Sequence, residues 1–228
     1  MGHGPVSDAD RQSNGPETGA AARRLSARPP KAVVGESRWH EILDVAAHVF
    51  YEKGYEGTTI QDIASRVGLL KGSLYYYIDT KEDLLYAIAE HVHADGLRYL
   101  TEDETLMRAD AVTRLSRFVE RWMARLATNI PYSAVVEREF RSLRPERVQT
   151  LIDQRDAYDQ FVRDIIGQGV DEGVFDPAVD PAVAANSIMQ LMNYTHLWFR
   201  PEGRLSFAEI GDWYRTFILR GLARAPIG

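Results

Sequence analysis

Within this chain of 228 residues, the run Lys71-Gly72-Ser73-Leu74-Tyr75-Tyr76-Tyr77 gathers side chains suited to touching a polyanion. Lys71 can reach a phosphate or a guanine edge, Gly72 permits close backbone approach, and Ser73 can hydrogen-bond a base edge or a phosphate oxygen. The hydroxyls of Tyr75 and Tyr76 can donate to phosphates while their rings pack on sugar or a thymine methyl. Thr58, Thr59 and Lys81 fall where helices must start, so donor side chains coincide with free backbone N–H groups that favour anions. A core or interface patch of three tyrosines, with lysine and glycine incidental, accounts for the same run equally well.

Three short helices are needed to position these groups. Ile42, Val45, Ala46, Val49 and Phe50 recur at helical spacing and predict a first helix, ended by Gly54. Thr58 with Gln61 forms a capping-box pattern for a second, whose buried face is Ile60, Ile63, Ala64 and Val67 and whose stop is Gly68. A third starts within 69–71 and runs to about Tyr77 with Leu74 facing inward; Thr80 with Asp83 opens a fourth, reaching about Tyr99. Two short helices meeting at Gly68 match a helix-turn-helix, in which the second helix enters the major groove. Further helices are predicted at about 109–128, 132–142, 145–172, 180–199 and 206–222, and strand-like alternation is lacking, so the expected fold class is all-α.

Thr58-Thr59-Ile60-Gln61-Asp62-Ile63-Ala64, Val67-Gly68, the run from Lys71 to Tyr77 and Lys81-Glu82-Asp83-Leu84-Leu85, preceded by Phe50 and Gly54-Tyr55, resemble the amino-terminal domain of the TetR family of one-component transcriptional repressors. The likeness spans residues 38–85. It implies DNA contact by Thr59, Lys71, Gly72, Ser73, Tyr75 and Tyr76, and a phosphate held by Lys81. Two departures stand out: Leu70 replaces a frequent serine or threonine cap, and Tyr77-Ile78 replaces a frequent His-Phe pair. Leu70 is expected to leave the third helix without a side-chain cap, a loss typically of about 1 kcal/mol.

The resemblance places an effector pocket and a dimer interface in the larger carboxy-terminal part. Between 109 and 128, Val112, Leu115, Val119, Trp122, Met123 and Leu126 form an apolar stripe, while Arg114, Arg117, Arg121 and Arg125 occupy another face, as a solvated edge or as the rim of an anion pocket. Trp122, Leu126, Phe140, Tyr158, Phe161, Met189 and Asn193 are the candidate ligand residues, each also accounted for as plain core. The last two helices carry more aromatic surface than one small bundle needs, so Trp198, Phe199, Trp213, Tyr214 and Phe217 are the candidate dimer residues. Leu197 to Ser206 resembles the subset of TetR-type regulators of lipid or steroid catabolism, which implies an acyl-CoA thioester as effector.

Composition narrows the classes. With 45% hydrophobic and 26% charged residues the chain is an ordinary globular one. It has no cysteine, which removes disulfides, thiolate zinc sites and cysteine nucleophiles. No apolar run is long enough for a membrane span, and the amino terminus lacks a secretory apolar core, so a cytoplasmic location is expected. His40, His48, His91, His93 and His196 are scattered, and hydrolase, Walker and dinucleotide motifs are missing, so neither an enzyme nor a metal or cofactor site is expected. The net charge of −6 argues against non-specific coating of nucleic acid. Residues 38–85 alone carry −3, whereas residues 20–37 carry a local +3 from Arg23, Arg24, Arg28 and Lys31 against Glu36.

The expected organisation is a disordered basic arm at 1–36, a helix-turn-helix domain at 37–84 and a ligand-binding and dimerisation domain at 85–228. The function implied is a repressor binding a near-palindromic double-stranded DNA operator as a homodimer and released by a small apolar or acyl-CoA-type effector. The alternative is a helical protein-interaction module without DNA binding.

Overall fold

The computed structural model describes residues 36–101 and 108–224. Among them lie α1 (Glu36–Lys53), α2 (Ile60–Val67), α3 (Lys71–Leu74), α4 (Lys81–Thr101), α5 (Ala111–Thr128), α6 (Ile130–Glu139), α7 (Pro145–Asp171), α8 (Pro181–Asn193) and α9 (Phe207–Leu222). Short 3-10 turns, Phe140–Ser142 and Tyr194–Leu197, follow α6 and α8. The only sheet-like pairing among the described residues is a single bridge from Phe175 to Ala223, so the class is all-α as expected. The expected basic arm, all but Glu36, lies outside the described residues.

Helix α1 buries Ile42, Leu43, Ala46, Ala47, Val49 and Phe50 and ends at Gly54, whose φ of +77° suits glycine alone at no steric cost. The cap of α2 sits one residue later than the expected Thr58–Gln61 pair. Thr59 is the N-cap, exchanging hydrogen bonds with Asp62 in a reciprocal box. The reason is burial: Thr58 turns inward and donates to the Gly54 carbonyl at 2.7 Å, while Gln61 donates to Ser65 at 3.0 Å. Gly68 then closes α2 with φ +74°.

The third helix is shorter than predicted. It is the single turn Lys71–Leu74, with Leu70 at the N-cap making no side-chain hydrogen bond, as its residue type implies. One turn cannot hold by itself, because helix nucleation costs more than so few bonds return. Buried Leu74 and Ile78 fix the segment in the core formed by α1, α2 and α4.

That first core does not stop at the helix-turn-helix. It takes in Tyr132, Val135 and Val136 of α6, with Leu143 and Leu151 beyond. Helix α4 runs unbroken through position 84–85, where the sequence placed the domain division. The second core is built from α5, α7, α8 and α9 around Leu115, Trp122, Ile165 and Met192. Phe175, folded back by the Gly173 turn, seals its end with its ring packed against Gly169 of α7.

A Cβ at Gly169 would stand 2.1 Å from the Phe175 ring, which is buried and has nowhere to move. Gly169→Ala should therefore cost about 1–3 kcal/mol through overpacking. Gly167→Ala, two residues away with nothing within 4 Å, should instead stabilise by about 0.5–1 kcal/mol. Urea unfolding of the two variants checks both signs.

Candidate nucleic-acid interface and effector core

Gly68, Leu69 and Leu70 join α2 to α3 and leave one face of the segment open. Lys71, Gly72, Ser73, Tyr75 and Tyr76 are exposed there, and Thr59 is exposed at the start of α2. A Cβ at Gly72 would meet nothing within 4 Å, and its φ is not in the left-handed region. Neither internal packing nor backbone strain asks for glycine at this position. Tyr77, by contrast, is half-buried and stacks on Trp39 of α1 at 6.3 Å.

Two of the eight expected DNA contacts are turned away from this surface. Thr58 is 2% exposed. Lys81 donates to the carbonyls of Tyr55 at 2.6 Å and Thr58 at 2.9 Å, with its ammonium 4.2 Å from the Tyr55 ring centre. Its ammonium thus ties α4 to the α1–α2 turn, in addition to the phosphate role expected of it. The carbonyls of a turn next to the helix start attract the nearest long cation, which composition alone does not disclose.

Five of the seven candidate ligand residues, Trp122, Leu126, Tyr158, Met189 and Asn193, are buried together in or beside the second core, with Phe161 half-buried at its edge. Phe140 is the exception: it sits in the 3-10 turn after α6 and packs on the first core. The sequence placed it by helical spacing that α6 does not sustain. Polar groups thread the buried cluster. The Trp122 indole donates to Asn193 Oδ1 at 2.9 Å, Asn193 donates to Glu137 at 3.2 Å, and the Tyr158 hydroxyl meets His93 Nδ1 at 2.7 Å. Burial pushes the Glu137 carboxyl up, against the pull of Arg155, and raises the Tyr158 phenol.

A cavity of about 270 Å³ opens between α4, α5 and α6, lined by His91, Asp95, Arg125, Asn129 and Tyr132 among others. None of the seven candidates lines it. Arg125 is only 6% exposed, its guanidinium 4.6 Å from the Trp122 ring centre and donating to the Val92 carbonyl at 2.7 Å. The solvated edge expected of the arginine row therefore fails at Arg125. The signal available was its place three residues after Trp122, on the neighbouring helical face.

Between α8 and α9 an apolar groove of about 340 Å³ runs along Ala184, Ile188, Leu191, Phe217 and Ile218. Trp213 and Phe217, 59% and 54% exposed, stack at 5.1 Å beside it, and Trp198 is also exposed. Phe199 is half-buried against Phe207. Tyr214 is buried, its hydroxyl accepting from Thr195 at 3.1 Å, so it belongs to the interior and not to a free face.

Family models match both parts of the chain: "Bacterial regulatory proteins, tetR family" over residues 42–88 and "Tetracyclin repressor-like, C-terminal domain" over 108–222. The HTH-type transcriptional repressor KstR2 of Mycobacterium tuberculosis (strain ATCC 25618 / H37Rv) is 26% identical over 192 residues, covering 84% of this chain and 96% of that protein. The crystal structure of the TetR family transcriptional regulator PfmR from Thermus thermophilus is 36% identical with a TM-score of 0.69, covering 80% of this chain and 99% of that one. AibR, solved in complex with isovaleryl coenzyme A and operator DNA, is 28% identical with a TM-score of 0.70, over 79% and 97% of the two chains.

Burial also holds His93 down, to a pKa of about 3 from its usual 6.5. The unfolded chain takes up this proton first. Stability is therefore fully present above about pH 6.5 and lost as the pH falls toward 3, with a slope of up to about 1.4 kcal/mol per pH unit. His93→Gln, which keeps a partner for Tyr158 without titrating, should flatten that slope in urea titrations between pH 6 and 4. A slope equal to the wild type's contradicts the assignment.

Proposed function

The chain belongs to the TetR family of transcriptional regulators, and from that membership we propose that it is a homodimeric DNA-binding repressor released by a small apolar or acyl-CoA-type effector. The observation that carries DNA binding is the open surface at Gly72. A glycine inside a helical turn costs about 0.5–1 kcal/mol relative to alanine. Nothing inside the protein requires it, and amid the exposed donors around it the space is open to the close approach of an outside partner. Lys71, Ser73, Tyr75 and Tyr76 around it supply phosphate and base-edge donors, while Thr59 is exposed with its own N–H and O–H given to Asp62.

Exposed Trp213 and Phe217, with Trp198, are the proposed dimer contacts, and the groove beside them continues that apolar face. A dimer so formed presents two recognition segments to successive major grooves, roughly 34–36 Å apart on a near-palindromic site. The effector is assigned to the second core, where Trp122, Tyr158 and Asn193 combine apolar walls with hydrogen-bonding handles, next to the cavity that Arg125, packed on Trp122, helps to line. The acyl-CoA class is supported by AibR, whose structure holds isovaleryl coenzyme A with operator DNA. A ligand that changes operator affinity about 100-fold supplies roughly 2.7 kcal/mol of coupling. We read the chain as a regulator and not an enzyme, acting in the cytoplasm. No described helix is long and apolar enough to cross a membrane.

Gel shifts with the DNA upstream of the protein's own gene test this. Lys71→Ala and Tyr75→Ala should each weaken binding by about 1–3 kcal/mol without changing the dimer mass in native mass spectrometry. Straight-chain and branched acyl-CoA thioesters, isovaleryl-CoA first, should release the wild-type complex. Binding no tighter than to competitor DNA at moderate salt overturns the repressor assignment, and release by none of the thioesters overturns the effector class.

A further inference from the structure

The turn between α2 and α3 carries two adjacent leucines that the fold treats in opposite ways. Leu69 is half-buried against the first core, and its backbone N–H donates to the Ala64 carbonyl at 2.8 Å. Leu70 is 80% exposed, more than any other large apolar or aromatic side chain among the described residues. The cause is backbone conformation. Residues four apart share a helix face, so a helix begun one residue earlier would place Leu70 on the inward face of Leu74. Instead Leu70 has φ −71° and ψ 146°, outside the helix it opens. Its carbonyl alone joins the turn, accepting from the N–H groups of Ser73 at 2.9 Å and Leu74 at 3.2 Å.

A single exposed leucine is ordinary on a protein surface. What sets Leu70 apart is its position. It occupies the N-cap of α3, as Thr59 does for α2, yet makes no side-chain hydrogen bond there. The side chain therefore serves neither the core nor the cap. Beside it stand exposed Lys71, Gly72 and Ser73, and Tyr75 and Tyr76 continue the same surface after the single turn of α3. In a helix-turn-helix the first residues of the second helix are those that reach base edges in the major groove.

Given that this surface binds DNA, as read above, we propose that Leu70 reads a thymine methyl in each operator half-site and is a specificity-determining residue of this regulator. Of the groups that base pairs present in the major groove, the thymine C5-methyl is the apolar one; the rest are hydrogen-bond donors and acceptors. An isobutyl group laid on a methyl removes apolar surface from water on both sides. Laid on a donor or acceptor, it displaces water and returns no hydrogen bond, which counts against the other bases. Lys71, next in the chain, serves a phosphate or a guanine edge, so the two neighbours address chemically opposite groups. The rings of Tyr75 and Tyr76 are the competing readers of a methyl.

Operators selected from a random duplex pool by the full-length protein test the proposal. Each thymine of the selected half-site is replaced in turn by deoxyuridine, which pairs as thymine does and lacks the methyl alone. One such replacement, made in both half-sites, should weaken wild-type binding by about fifteenfold, from about fourfold per methyl. Leu70→Ala should bind the thymine and deoxyuridine duplexes alike, while Leu70→Met, which keeps an apolar reach, should retain most of the difference. Leu70→Ser, which supplies a cap, should also lose the difference and be at least as stable as the wild type in urea, separating the effect from damage to the fold. Wild-type binding indifferent to every thymine methyl overturns the proposal. So does a methyl preference undiminished in Leu70→Ala and Leu70→Ser, which would assign the contact to Tyr75 or Tyr76. A pool that yields no preferred sequence overturns the repressor reading and the proposal with it, a result distinct from a preferred sequence bound without regard to its methyls.

Discussion

The recognition segment depends on one buried side chain. Leu74 anchors a helix of four residues that is too short to form from its own backbone hydrogen bonds. Everything the segment offers outward is held from behind, by Leu74 and Ile78 in the first core and by Tyr77 stacked on Trp39. The first core must in turn be kept in shape. It is closed by α6, which contributes Tyr132, Val135 and Val136 from beyond the helix-turn-helix. The DNA-facing part is therefore not packed independently of the rest.

Electrostatics follows the same economy. Residues 38–85 sum to −3, an awkward charge beside a polyanion, yet their acids are largely engaged. Asp62 completes the Thr59 cap and pairs with Lys53, which hold its carboxyl well below the usual range. Asp83 accepts from the backbone of Asp79 and Thr80 and meets Arg147, while Glu52 pairs with Arg66 and Glu82 with Arg144. None of these acids lies on α3. Affinity then rests on a few placed contacts, so a shallow salt dependence with strong sequence preference fits this surface better than a broad counterion effect.

Much of this was legible in the sequence because it depends on local rules. The apolar spacing of α1 and α2 and the glycine stops at Gly54 and Gly68 are properties of neighbouring residues. So are the lack of a cap at Leu70 and the exposed group from Lys71 to Tyr76. Thr58 and Thr59 are chemically alike, and which one turns inward is settled by the Gly54 carbonyl and the Asp62 carboxylate, both within four residues. The rest of what was not legible depends on residues distant in the chain. Lys81 is drawn to carbonyls more than twenty residues away, Arg125 is buried on Trp122, and Tyr214 finds Thr195 on a different element. In the effector part, helical spacing identified buried aromatics but could not separate pocket from core, since both have the same period.

Whether the surface at Gly72 is shaped by an outside duplex and not by the fold is decided by Gly72→Ala, with stability and operator affinity measured on the same preparation. Alanine adds a methyl group that meets nothing in the protein and favours the helix by about 0.5–1 kcal/mol. The variant should be at least as stable as the wild type in urea but weakened for its operator by tenfold or more, on the order of 1.4 kcal/mol. Operator affinity equal to the wild type's in the stable variant would contradict a surface shaped by DNA.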